Sequence, residues 1–320
     1  MKVALIGVGN IGKLHLNIIL NSSATLVGIC DVDEKKLVEY KDYPTFSDYK
    51  TMIDVTKPDI IHICTPHYLH KEMIIYALMK NINVFCEKPL CIKFEEIIEI
   101  EQALKSSNAQ LGICFQNRYN PSVQFVKKYL ERKKIKSIYG CLMWHRDEKY
   151  YNQALWRGTK KYEGGGVLIN QAIHTLDLMQ YISSMPKEII ANIANVSLRN
   201  VIDVEDNALV SSVDNSFRLI ASNCAAKDYP IKIVINTDDE EIEIINNTVK
   251  INDKIYNCEE LIPLPEAKKT YGGGHSLIIN DFYDCIKNKR RFEIDFYEAI
   301  KSIKLVLSSY ESNGNKTLIK

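Results

Sequence analysis

Short apolar runs punctuate the first 120 residues, and between them apolar positions recur every three to four residues. The runs are KVALI at 2–6, TLVGICD at 25–31, PDIIHICTP at 58–66, INVFCEKP at 82–89 and AQLGICFQN at 109–117. They are nearly continuous in apolar residues, which predicts strands of a parallel sheet covered on both faces. Segments 10–22, 68–80 and 93–107 predict the covering helices, and the alternation is that of βαβ units.

The rhythm changes after Pro121. A helix is predicted over 121–134, then a strand near 136–145. The stretch EGGGVLINQAIHTLDL at 163–178 reads as a glycine run opening a helix. Period-two alternation follows in IKIVI at 231–235 and EIEII at 241–245. Asn246-Asn247 and Asn252-Asp253 sit between such runs, where hairpin turns need residues tolerant of positive φ. Two helices, about 276–288 and 296–311, end the chain. The expectation is an α/β protein of two domains. A Rossmann-type doubly wound parallel sheet occupies 1–120, and an α/β domain with a large, mostly antiparallel sheet occupies 121–320.

Charge adds little to this picture. The net charge is +1, so nothing calls for nucleic acid or an anionic membrane surface. No stretch approaches the roughly 18 apolar residues of a membrane span. The apolar run at the start is too short for a signal peptide, so a cytoplasmic setting is expected. The nine cysteines form no C-x-x-C, and several lie inside apolar runs. They read as buried, reduced thiols, and no metal site is expected.

Three segments of the first half carry candidate chemistry. GVGNIG at 7–12 fits G-x-G-x-x-G between a strand and a helix, and Asp31 ends the next strand. Gly7 permits the tight turn, Gly9 lets a pyrophosphate approach the backbone, and Gly12 lets helix and strand pack. With Val8, Asn10 and Ile11 they form a phosphate cradle at a helix N-terminus. Asp31 can accept both ribose hydroxyls and would repel a 2′-phosphate, which favours NAD over NADP. The alternative is a glycine turn with a solvated acid. CTPHYLH at 64–70 lies at the carboxyl edge of the sheet, where ligands of such folds bind. The other reading of Thr65 or His67 is a cap of the helix that follows. Lys88, in Glu87-Lys88-Pro89, leaves the fourth strand. It reads either as a proton-transfer group beside a nicotinamide or as half of a surface Lys–Glu pair.

The glycine motif, Asp31, CTPHYLH, the E-K-P triplet, GGGVLINQAIHTLDL and the closing helices occur in an order that resembles the glucose–fructose oxidoreductase/inositol dehydrogenase/MocA family. The resemblance covers nearly the whole chain. It implies an NAD(P)-dependent oxidoreductase acting on a secondary alcohol of a sugar, polyol or sugar derivative. It implies Lys88 as catalytic acid/base, often before a cis proline, with His174 assisting. It puts Thr65, Pro66, His67, His70, Glu87, Lys88 and Asn117 near the cofactor. Arg118, Trp156, Arg157, Asn170 and His174 would line the substrate. For Arg118 an interface ion pair is the other reading, and for Trp156 simple packing. Asn170, His174 and Asp177 fall at i, i+4 and i+7, one face of a helix. Asp177 would orient His174 or join a buried polar network. Asn170 stands where many relatives have Asp, so one negative charge would be missing from the substrate wall, which widens the candidates to anionic sugars. His275 is a further candidate, or a cap of its helix. An open sheet face implies a homodimer or homotetramer. Two other functions stay open. One is transient use of NAD to oxidise sugar C3 for glycoside cleavage or modification. The other is a nucleotide-binding regulator without catalysis.

Overall fold

The computed structural model describes residues 1–259, 261 and 273–320. The chain folds as two compact units. The first holds Met1–Gln116 and, among the described residues, 273–299; the rest forms the second.

The first unit is built on a parallel sheet of strands β1 (Lys2–Ile6), β2 (Thr25–Cys30), β3 (Thr45–Phe46), β4 (Ile60–Ile63), β5 (Asn83–Cys86) and β6 (Leu111–Ile113). Their order is β3-β2-β1-β4-β5-β6, that of a dinucleotide-binding doubly wound sheet. Five of the six strands coincide with the apolar runs. The sixth, β3, is a two-residue edge strand with no apolar signature. Val3–Ile6, Ile60–Ile63 and Val84–Cys86 are buried, as strands covered on both faces must be. The helices of this unit include α1 (Asn10–Leu20), α2 (Glu34–Leu37), α3 (Tyr49–Thr56), α4 (His70–Met79) and α5 (Phe94–Lys105).

The expected boundary at 120/121 placed the chain's end wholly in the second domain, and the folded chain divides differently. Helix α9 (Gly274–Lys287) and the segment after it return to the first unit. Aromatic packing explains this. Phe282 and Phe292 lie 5.2 and 6.3 Å from Phe85 between ring centroids. Gly112 leaves room for them, since a Cβ there would sit 2.9 Å from the Phe282 ring. Ile113 N–H also donates to Ile294 O (3.0 Å).

The second unit begins with α6 (Pro121–Tyr129), which stops five residues short of the predicted helix. Its nine-stranded sheet comprises β7 (Ser137–Met143), β8 (Glu188–Ala194), β9 (Asn207–Ser212), β10 (Phe217–Ser222), β11 (Lys232–Asn236), β12 (Glu241–Ile245), β13 (Thr248–Ile251), β14 (Lys254–Asn257) and β15 (Thr317–Leu318). The order is β14-β13-β12-β11-β7-β10-β9-β8-β15. Only the β7–β10 pair is parallel among them. Asn246 and Asn252 take φ of 51° and 49° in the two hairpin turns, which is why asparagine serves there. Between β7 and β8 come the short α7 (Glu148–Tyr151) and the long helix α8 (Ile173–Ser183); α10 (Phe296–Ser312) follows α9.

Helix α8 covers one sheet face, for a Cβ on Gly140 of β7 would meet Met179 Sδ at 2.5 Å. On the opposite face Leu209 and Ile220, cross-strand partners, are 45% and 52% exposed. Among the described residues no helix is long and apolar enough to cross a membrane.

Candidate functional site

In the first unit the candidate chemistry gathers at the carboxyl ends of the parallel strands. Gly7 follows β1 with φ +91°, a conformation disfavoured for any side chain. A Cβ there would sit 2.6 Å from Cys64 O, and one on Gly12 would sit 1.9 Å from Gly7 O. Gly9 differs: a Cβ on it would meet nothing within 4 Å. The two outer glycines are therefore required by packing, and the middle one faces open space. Gly9 is the N-cap of α1 and no side chain caps this end, so the N–H groups of Asn10 and Ile11 suit a phosphate. Asp31 is buried at the end of β2. Its Oδ2 accepts from Val8 N–H (2.9 Å), its Oδ1 from Asp33 N–H (2.9 Å), and Lys36 Nζ stands 3.4 Å from Oδ1. The carboxylate is thus held beside the turn, where a ribose next to a cradled pyrophosphate would lie. These residues fit a dinucleotide.

At the next strand ends, neither Thr65 nor His67 caps a helix. Thr65 Oγ1 contacts Met73 Sδ (3.5 Å), and His67 opens a short 3-10 turn after Pro66. His70 is buried, with Nδ1 2.7 Å from Pro89 O and Nε2 2.9 Å from Thr65 O. Glu87 is buried and Lys88 half-buried directly after β5, and the Lys88–Pro89 peptide is cis. Glu87 Oε1 accepts from His15 Nε2 (3.0 Å). Burial alone would push its carboxyl up. The hydrogen bond and charge of His15, with the charges of His275 and Lys88, hold it well below the usual range. Lys88 is therefore no partner in a solvent-exposed pair with Glu87. His275 does not cap α9, whose N-cap is Gly273. It is buried, with Nε2 3.9 Å from Glu87 Oε1.

In the second unit the glycine run opens on a π-helical turn, Leu168–Ala172, before α8 begins. A π turn adds a residue to the helical phase, so Asn170 does not keep the α-helical spacing to His174 and Asp177, which themselves stay three residues apart within α8. Asp177 is buried and turned to Arg118: Nε to Oδ2 is 2.8 Å and Nη2 to Oδ1 is 2.7 Å. Ser302 Oγ also donates to Asp177 Oδ1 (2.7 Å), and the guanidinium lies 4.5 Å over the Tyr181 ring. Arg118 thus follows its ion-pair reading, and Asp177 joins a polar network without orienting His174. The Nε and Nη2 edge of the guanidinium is used on Asp177, and both residues belong to the second unit. Asn117, in the short turn before α6, and His174 are half-buried.

Asn170 lies in a cluster that the sequence did not single out. Its Nδ2 donates to Glu163 Oε1 and reaches Tyr150 Oη at 3.4 Å. Glu163, buried just before the glycines, also accepts from Gly158 N–H. Arg157 stacks over both Tyr150 (4.7 Å) and Trp156 (4.8 Å). A carboxyl group thus stands against Asn170 after all, supplied by Glu163. Glu205 is a second unforeseen acid. It accepts from Gly166 N–H (2.8 Å), Leu168 N–H (2.9 Å) and Tyr310 Oη (3.0 Å), and so fixes the start of the π turn. Burial pushes its carboxyl up. A lone acid in a β-rich stretch gives no sequence signal of this, though Glu163 at least adjoins the glycine run.

A glycine turn opening a helix, an acid at the end of β2 and this strand order define a dinucleotide-binding protein of the Rossmann type. Residues 1–115 match the oxidoreductase family with an NAD-binding Rossmann fold, and 123–239 match the Gfo/Idh/MocA C-terminal domain. The chain belongs to the Gfo/Idh/MocA oxidoreductase family. It is 27% identical to the oxidoreductase YrbE of Bacillus subtilis over 229 residues, 68% of this chain and 65% of that protein. It is 32% identical to levoglucosan dehydrogenase of Pseudarthrobacter phenanthrenivorans over 141 residues, 42% of this chain and 36% of that one. The matches thus span less than two thirds of either relative. The structure resembles the WlbA dehydrogenase of Bordetella pertussis, solved with NADH and UDP-GlcNAcA. The TM-score is 0.89 and the identity 24%, over 100% of this chain and 98% of that one. At this identity the likeness establishes the fold.

Proposed function

We propose that the protein is an NAD-dependent dehydrogenase of a secondary alcohol on a sugar, polyol or sugar derivative, with Lys88 as the proton-transfer group. One observation carries the reading. A half-buried lysine leaves β5 on the same sheet edge as a glycine cradle with open space at Gly9 and an acid held beside it. Bound NAD supplies the hydride acceptor. Asp31 receives the ribose hydroxyls and disfavours a 2′-phosphate. The Lys88 amine takes the hydroxyl proton when the alcohol is oxidised and returns it in the reverse direction. His174 is assigned to hold the same hydroxyl, and Asn117 to the nicotinamide end. Trp156, Arg157 and Asn170 are assigned to the sugar, whose faces suit an aromatic–cation wall. The levoglucosan dehydrogenase relative supports a sugar substrate.

A homodimer or homotetramer through the open sheet face belongs to this reading, and the exposed Leu209 and Ile220 support it. So does a cytoplasmic setting, supported by nine cysteines that stand as free thiols. The test is incubation with NAD and a panel of neutral sugars, polyols and uronic acids, following the absorbance of reduced nicotinamide. Net reduction supports a dehydrogenase. Glycoside cleavage without net reduction, or NAD binding with neither, overturns it in favour of transient cofactor use or of a regulator.

A further inference from the structure

The mechanism uses Lys88 but leaves unexplained the buried histidines around it. Tyr283 Oη, on α9, lies 2.8 Å from His62 Nε2. His62 Nδ1 lies 2.9 Å from His15 Nδ1, and His15 Nε2 lies 3.0 Å from Glu87 Oε1. All four residues are buried, so each polar atom must be satisfied inside the core. Glu87 is held ionised and can only accept. With His62 kept neutral by its burial, two proton arrangements then satisfy the chain. Either Tyr283 donates to a neutral His62, which donates to a neutral His15, or a doubly protonated His15 donates both ways. In both, the hydrogen on His15 Nε2 points at Glu87.

On the other side of Lys88, the Nδ1 of fully buried His70 lies 2.7 Å from Pro89 O. Its Nε2 lies 2.9 Å from Thr65 O, so the ring ties the Lys88–Pro89 turn to the end of β4. Both contacts end on carbonyl oxygens, so the ring must donate, and its Nδ1 is the nitrogen that faces the proline beside Lys88. The residues on both sides of Lys88 are therefore gripped by imidazoles with no access to solvent. Cys114 Sγ lies within 4.8 Å of the His15 and Glu87 donor atoms. Burial pushes that thiol well up. The cluster is explained by hydrogen bonding.

We infer that His15 and His70 are positioning residues of Lys88: through Glu87 and Pro89 they fix where its amine stands and which charge it faces. The inference rests on Lys88 being the proton-transfer group. It makes a demand that a packing role would not make, because the two rings use different nitrogens. Glutamine carries its amide nitrogen at the reach of a histidine Nε2, and asparagine at the reach of Nδ1. At position 15 glutamine keeps the donor to Glu87, while asparagine can face only His62. At position 70 asparagine keeps the donor to Pro89, while glutamine can face only Thr65.

The experiment compares His15→Gln with His15→Asn and His70→Asn with His70→Gln, all polar and close in size. kcat is read with NAD and the fastest sugar of a panel containing levoglucosan, glucose and glucuronic acid. A second readout needs no turnover. Trace acetylation of Lys88 by acetic anhydride is followed across pH in the cofactor-free protein, by mass spectrometry. Around Glu87 stand His15 from α1, His62 and Cys64 from β4 and its end, Cys114 after β6 and His275 from α9. None of them is altered by the paired comparison except the ring under test. The expected result is opposite amide preference: Gln exceeds Asn at 15 and Asn exceeds Gln at 70, each by about 10-fold or more in kcat, since misplacement by ~1 Å can cost ~100-fold. NAD affinity should stay within about 3-fold, and the Lys88 acetylation midpoint should move by about 0.5 pH unit or more only in the two disfavoured variants. In a Lys88→Ala background the Gln/Asn difference should vanish. Equal effects of both amides, the reverse order, or loss confined to NAD affinity overturns the positioning role. A Lys88→Ala enzyme that turns over like wild type overturns the reading of Lys88 itself. An inactive one with equal amide variants overturns positioning alone.

Discussion

The Arg118 guanidinium lies bidentate on the Asp177 carboxylate, and both are buried in the second unit. Removing one partner strands a charge out of water. Asp177→Ala should therefore cost about 3–5 kcal/mol of stability, measured by denaturant unfolding. A loss below about 1 kcal/mol would show that the pair is effectively solvated.

Buried imidazoles weaken the first unit in acid, with His62, His70 and His275 all lowered by burial. Burial lowers His62 well below the ordinary histidine value and lowers His275 to about 4. As pH falls below about 6.5 the unfolded chain binds protons at both that the folded chain refuses. Stability should then fall with pH between about 6.5 and 4, by about 1.4 kcal/mol per pH unit for each imidazole. A calorimetric Tm that holds or rises on acidification to pH 5 contradicts this.

Asp31 should set the choice of cofactor. NAD should bind at least about 10-fold more tightly than NADP, because a carboxylate meets the 2′-phosphate. Asp31→Ser should shrink that ratio, and Lys36, 3.4 Å from Asp31 Oδ1, then becomes available to the phosphate. Equal affinities in the wild-type protein, by titration calorimetry, would remove Asp31 as the discriminator.

Ile220 and Leu209 form an exposed cross-strand apolar pair, and Cys141 continues it on β7. If this face joins a second copy, Ile220→Glu should convert the assembly to monomer at micromolar concentration, read by analytical ultracentrifugation. A wild-type monomer, or an unchanged assembly in the variant, removes this face as the interface.

Much of the first unit was legible because its constraints are local. A strand, a glycine turn and a helix need specific residues within about ten positions, and Gly7, Gly9 and Gly12 show each demand separately. The return of α9 was not legible, since Phe282 packs on Phe85 across most of the chain. Nor was the Arg118–Asp177 pair, whose members are 59 residues apart. Helical spacing misled at Asn170 because a π turn changes the phase. His15 and His62 sit singly within apolar elements, and only the fold shows that they face one another and lead to Glu87. Glu205 is an ordinary acid until the fold brings the N–H groups of Gly166 and Leu168 against it, and Glu163 until Gly158 N–H and Asn170 face it.

The central claim is that Lys88 moves the substrate proton while the cradle at Gly7–Gly12 holds the cofactor. Lys88→Ala separates the two directly, with kcat and NAD affinity measured on the same preparation. The account predicts NAD affinity within about 3-fold of wild type and kcat lowered by about 100-fold or more, the scale of general acid–base catalysis. Wild-type kcat with the best sugar would contradict it.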